Sequence, residues 1–149
     1  MTTEIRLWRR HFIELTESLY RLRGQTPPPV GDAFEGGWQT TLQWHGVGFR
    51  LLHDDPDDAI GRFALQCAFC TVPQEAPADE LMRAALEMNH VLARQAAGMF
   101  VFDTDTRELI YSLLSPLQGA TASGVLGTME GLIPLVDHWR ATMPRVMCH

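Results

Sequence analysis

Three groups of residues have the types and spacing that chemistry could use. Cys67-Ala68-Phe69-Cys70 has the CxxC spacing of redox dithiols and of half a zinc site. Asp54, Asp55, Asp57 and Asp58 crowd carboxylates around Pro56, as a cation-binding loop does. Six His are scattered along the chain and could in principle act as ligands or bases. Each group falls short of what its chemistry requires. A redox CxxC sits at a helix N-terminus, where the dipole lowers the thiol pKa. Here the motif lies in a strand-like run, where positions three apart point to opposite faces, so only a bulge would let the thiols bridge or share a metal. No second CxxC or Cys/His pair stands at ligand spacing, and Cys148 and His149 lie at the chain end. The aspartates lack the spacing, the Gly and the closing Glu of an EF-hand, and read as a solvated loop at a strand end. There is no HExxH, GxSxG, P-loop or GxGxxG. The expectation is structural cysteines, no catalytic residue, no metal and no cofactor.

Composition narrows the class. With 149 residues, the chain is expected to form one domain, spanning residues 1–149, with a core of its own. Three Cys are too few and too unevenly placed for a disulfide framework. All 12 basic residues are Arg, and 18 acidic residues bring the net charge to −6, which argues against nucleic acid or an anionic membrane as partner. The longest uncharged stretch, residues 109–129, is interrupted by Pro116, Gln118, Gly119, Ser123, Gly124 and Gly127, so it does not read as a membrane span. The N-terminus lacks the apolar run of a secretory signal, and a cytoplasmic chain is expected.

The elements follow from periodicity. Residues 4–23 place Trp8, Phe12, Leu15, Leu19 and Leu22 on one helical stripe, with Gly24 as the C-terminal cap. Ile13 and Tyr20 lie on its flank, either as satellite core or as a groove wall. Pro27-Pro28-Pro29 and Gly36-Gly37 bound an extended linker within the domain. From residue 38 to 72 the period becomes two, giving three consecutive antiparallel strands, the first two joined by a tight turn at His45-Gly46. Pro77 opens a second helix with Asp79 and Glu80 in its first turn, and Gly98 closes it. A hairpin turning at Asp103-Thr104-Asp105-Thr106 follows, then a last helix over residues 122–140 with Val125, Met129, Leu132, Val136 and Trp139 on one stripe. Gly124, Gly127 and Gly131 in that helix permit close packing, and Pro134 is expected to kink or break it. The order is α-β-β-β-α-β-β-α, an α+β single domain with a twisted antiparallel sheet flanked by helices.

The second helix is too apolar to cover a single sheet face. Leu81, Ala85, Met88 and Leu92 form one stripe, and Met82, Leu86, Asn89 and Ala93 a second, about 100° around the cylinder. With Ala84 and Val91 the weakly polar arc reaches about 220°, against the ~100° that one face needs. Either flanking elements cover both stripes, or one stripe meets a second copy of the chain. The second option makes Met82, Leu86, Asn89 and Ala93 candidates for a homodimer interface.

Residues 81–140 resemble the type III secretion chaperone family, of the CesT/Tir chaperone type. The resemblance rests on Leu81, Leu86 and Asn89 in the second helix and on Gly98-Met99-Phe100-Val101-Phe102-Asp103. It continues through Asp105-Thr106-Arg107-Glu108, Leu109-Ile110-Tyr111, Leu114-Ser115-Pro116-Leu117 and Val136-Asp137-His138-Trp139, with the N-terminal third matching by topology alone. The resemblance implies a bacterial cytoplasmic homodimer that holds the N-terminal region of a secreted effector extended and secretion-competent without ATP. Binding would use strand addition at a sheet edge and apolar grooves, for which Leu15, Leu19, Leu42, Val47 and Phe49 are the candidate partner-binding residues. No ATP site is visible, so another component, with the secretion ATPase as a candidate partner, would drive release. A regulatory chaperone of the same fold, which sequesters a regulator or controls export, is the alternative; a thiol or metal enzyme centred on Cys67 and Cys70 is the least favoured.

Overall fold

The computed structural model describes residues 3–29, 36–53, 61–75, 77–95 and 98–142. The aspartates of residues 54–58, together with Cys148 and His149, lie outside the described residues. Eight elements follow in the expected order: α1 (Thr3–Leu22), β1 (Trp38–Trp44), β2 (Val47–His53), β3 (Arg62–Thr71), α2 (Asp79–Arg94), β4 (Met99–Asp103), β5 (Glu108–Pro116) and α3 (Ala122–Thr142). The strands form one antiparallel sheet in the order β1-β2-β3-β5-β4. Helix α2 carries the chain past β5 to the far edge, and the β4–β5 hairpin returns it to β3. His45 and Gly46, both at positive φ, make the two-residue turn whose twist matches the flanking strands.

Alternation puts the apolar residues on one face. Leu42, Val47, Phe49, Leu51, Phe63, Leu65, Cys67, Tyr111 and Phe100 are buried there. The register carries this face across the sheet, through Leu42↔Phe49, Phe49↔Cys67, Cys67↔Tyr111 and Phe100↔Tyr111. Phe12, Leu15 and Leu19 of α1 and the Val125–Trp139 stripe of α3 close over it as one core. α1 packs on α3 and β2, α3 on β2 and β3, and α2 runs beside β4 with Leu81 and Ala85 in the same core.

Three local findings refine the sequence reading. The helix α3 runs through Pro134 without a break. Pro134 and Glu130 lie on its exposed side, so the carbonyl that loses its partner faces water. α1 ends in a Schellman turn at Gly24 (φ +71°), with Gln25 N–H donating to Tyr20 O and Gly24 N–H to Arg21 O, both at 2.9 Å. Leu22, expected on the buried stripe, is exposed at that end, whereas Ile13 is buried as satellite core.

Arg9 is buried despite its charge. Its Nε donates to His53 Nδ1 at 2.7 Å, pinning α1 to the end of β2. Its place three residues before Phe12 and seven before Thr16 puts it on the inner face, a spacing signal that its charge obscures.

Candidate partner-binding surface

The CxxC segment carries the bulge on which its chemistry depends. β3 slips against β5 between Ala68↔Ile110 and Cys70↔Leu109, leaving Phe69 as the extra residue. Phe69 and Cys70 are consequently both buried, and Cys67 and Cys70 do not diverge as a regular strand requires. They do not form a pair: Cys70 is disulfide-bonded while Cys67 is free. The disulfide gives Cys70 a structural role, one that the CxxC spacing itself does not indicate. Burial pushes the Cys67 thiol up to about 12, the opposite of a reactive thiolate. Arg140, at the end of α3, donates from Nε to Phe69 O at 2.8 Å and so satisfies a carbonyl that the bulge turns out of the ladder. Among the described residues no group of three or more His, Cys, Asp or Glu could hold a metal ion.

Most of the exposed large apolar residues lie on α2, β4 and β5, with Leu7, Leu22 and Leu135 exposed on α1 and α3. Leu86 is 68% exposed with Met82 and Ala93 beside it; Val91 is exposed too, and Met88, expected on the stripe with Leu81 and Ala85, is exposed rather than buried. Met99 and Val101 of β4 and Leu114 of β5 are exposed on the sheet face opposite the core. Register places Met99 against Ser112 and Val101 against Ile110, so these side chains share one outer face with Leu114. Of the two stripes read on α2, the Leu81/Ala85 stripe goes into the core and the Met82/Leu86/Ala93 stripe is left uncovered by the described residues. Asn89, at the border between them, is half-buried and bonded to the backbone of Phe100 at both Oδ1 and Nδ2.

The residues expected to bind a partner need correction. Leu15, Leu19, Leu42, Val47 and Phe49 are 0–6% exposed and belong to the core. Leu42, Val47 and Phe49 alternate onto the inner face of the sheet, Leu15 and Leu19 lie on the buried stripe of α1, and α1 and α3 close over that face.

Both sheet edges carry side-chain caps. At the β4 edge, Asn89 occupies the N–H and C=O of Phe100. At the β1 edge, Tyr20 Oη donates to Thr41 O at 2.7 Å and Arg23 donates to Gln43 O. The sequence reading located neither cap. Tyr20 was legible as a flanking residue and Asn89 as a polar interruption in an apolar stripe, but their acceptors are backbone atoms with no signature of their own.

No family model matches this chain, and no curated protein matches it by sequence. Solved structures do match. A chain of the ExsC–ExsE complex aligns with a TM-score of 0.70 at 18% identity, covering 91% of this chain and 96% of that one. A chain of the HopA1–SchA chaperone–effector complex aligns with a TM-score of 0.61 at 16% identity, covering 90% and 96%. At such identities the likeness is one of fold, and it extends over nearly the whole length of both partners. The chain therefore has the fold found in these complexes, the fold that the sequence resemblance implied.

Proposed function

We propose that this chain is an ATP-independent chaperone that works as a homodimer in the bacterial cytoplasm and keeps the N-terminal region of a secreted type III effector soluble and competent for export. The observation that carries this reading is the shared fold, over 90% of the chain, with a structure solved as a chaperone–effector complex. The uncovered Met82/Leu86/Ala93 stripe of α2 supports it by supplying a surface on which two copies can meet. Asn89 sits at the edge of that seam and aligns it with β4.

Co-expression with the product of a neighbouring gene, followed by purification and mass identification, tests the proposal. The expected result is a stable complex holding an exported protein by its N-terminal region. Recovery of a lone 16.8 kDa particle that ignores every exported polypeptide offered to it would overturn the reading. A regulatory chaperone of the same fold differs only in its partner, so a captured regulator in place of an exported effector selects that alternative.

A further inference from the structure

The closure of the β1 edge has a strand that fits it, and that strand is β1 itself. In a two-residue hairpin the residues flanking the turn bond each other, and alternate residues then turn their backbone groups outward. With the turn at His45-Gly46, Trp44, Leu42 and Thr40 face β2, while Gln43, Thr41 and Gln39 present their N–H and C=O to the free edge. Two of these three outward carbonyls are taken from the α1 side, Thr41 O by Tyr20 of the helix and Gln43 O by Arg23 of the turn that ends it. The single phenolic proton goes to Thr41 O, so the 2.7 Å contact between Tyr20 Oη and Thr40 Oγ1 is donated by the threonine. The Schellman turn fixes Arg23 at the helix end, and its guanidinium lies over the Trp44 ring, 4.1 Å from the centroid.

The strand under this clasp is Trp38-Gln39-Thr40-Thr41-Leu42-Gln43-Trp44, which holds no charge, no Pro and no Gly. Edge strands are commonly protected by a Lys, a Pro or a bulge, and β1 has none of these. Its sequence also reads nearly the same in both directions from Thr41. In an antiparallel pair of two copies centred there, Gln39 meets Gln43, Trp38 meets Trp44 and Thr40 meets Leu42, with no like charges opposed.

We infer that Tyr20 and Arg23 form a clasp that prevents β1 from pairing with β1 of a second copy. Pairing would be isologous, and a second isologous contact on a chain that also associates elsewhere links copies into open chains. Resting on the α2 dimer proposed above, the clasp separates a discrete particle from a polymer; the β1 pairing itself needs neither α2 nor a client, and without the α2 contact it would stop at a closed dimer.

The variant Tyr20→Phe/Arg23→Met keeps the ring and the aliphatic stem but removes both donors. Sedimentation velocity over a wide concentration range should show it associating to at least double the wild-type mass. Adding Thr41→Lys, which sets two ammonium groups face to face at the two-fold axis, should restore the wild-type mass. A folded double variant whose mass equals wild type at every concentration would overturn the inference, as would association that survives Thr41→Lys. Tyr20→Phe alone, lacking one hydroxyl, gives the same two readings if the double variant does not fold.

Discussion

The Asn89 side chain pairs with the backbone of Phe100 as a neighbouring strand would: Oδ1 accepts from Phe100 N–H at 2.6 Å, and Nδ2 donates to Phe100 O at 2.9 Å. One amide thereby joins α2 to the edge of the sheet and occupies the pair of groups a docking strand would use there. A primary amide presents a donor and an acceptor side by side on one planar group, as a peptide unit does.

Asn89→Ala should therefore destabilise the fold by about 1–3 kcal/mol, because two half-buried backbone groups lose their partner. Asn89→Asp keeps the acceptor but turns a carboxylate oxygen toward the Phe100 carbonyl, and should cost at least as much. Urea unfolding checks both, as a lower midpoint with an unchanged slope.

The fold was legible because each element carries its own period. The 3.6-residue stripes of α1 and α3 and the two-residue alternation of β1 to β3 each point to a single buried face, and all eight elements lie where those periods put them. What the same periods could not show is which buried face is covered. Val47 and Phe49 alternate in the same way whether α1 and α3 close over them or leave a groove, so the partner-binding candidates fell into the core. Polar interactions with backbone atoms were equally hidden: Arg9, Tyr20, Arg23 and Asn89 find carbonyls, N–H groups or a distant imidazole that the order of residues does not advertise. The stripe on α2 was legible for the opposite reason, since an excess of apolar residues on a helix needs no tertiary partner to be noticed.

Two glycines respond oppositely to Ala. A Cβ on Gly98 would lie 2.3 Å from Ser112 O and 3.0 Å from the Tyr111 ring, where β4 starts against β5. Backbone cannot yield as a flexible side chain does, so Gly98→Ala should lose about 1–3 kcal/mol. A Cβ on Gly127, within α3, meets nothing within 4 Å. Gly127→Ala should gain roughly 0.5–1 kcal/mol from helix propensity alone. Thermal unfolding of the two variants should move in opposite directions from wild type.

Cys67 sets a pH dependence with a definite sign. Burial raises its thiol from 9.0 to about 12 in the folded chain, while the unfolded chain ionises at the ordinary value. The unfolded state therefore releases a proton that the folded state retains, and stability falls as pH rises from 9.0 towards 12. The slope attributable to this one group approaches about 1.4 kcal/mol per pH unit. Below pH 9.0 it contributes nothing. Unfolding free energies of wild type and Cys67→Ala, compared across that window, should converge as pH rises. The native thiol should also resist alkylation at neutral pH and react once the chain is unfolded.

Leu86 and Phe49 separate association from folding. Leu86 is 68% exposed, so Leu86→Arg should leave the stability of the single chain within about 0.5 kcal/mol of wild type. If α2 meets its own copy, the same change sets an unpaired guanidinium on each side of a dry two-fold contact. At a cost of about 3–4 kcal/mol, this weakens association by two to three orders of magnitude. Sedimentation should then report a folded monomer where wild type is a dimer; an intact Leu86→Arg dimer would move the seam off this stripe. Phe49, 2% exposed between Leu42 and Cys67, gives the reverse pattern. Phe49→Asp buries a charge among apolar side chains and should abolish folding, and Phe49→Ala should cost about 3–5 kcal/mol. A partner-binding defect in either Phe49 variant would follow from loss of the core, whereas loss of dimer in Leu86→Arg with the fold retained can come only from the surface of α2.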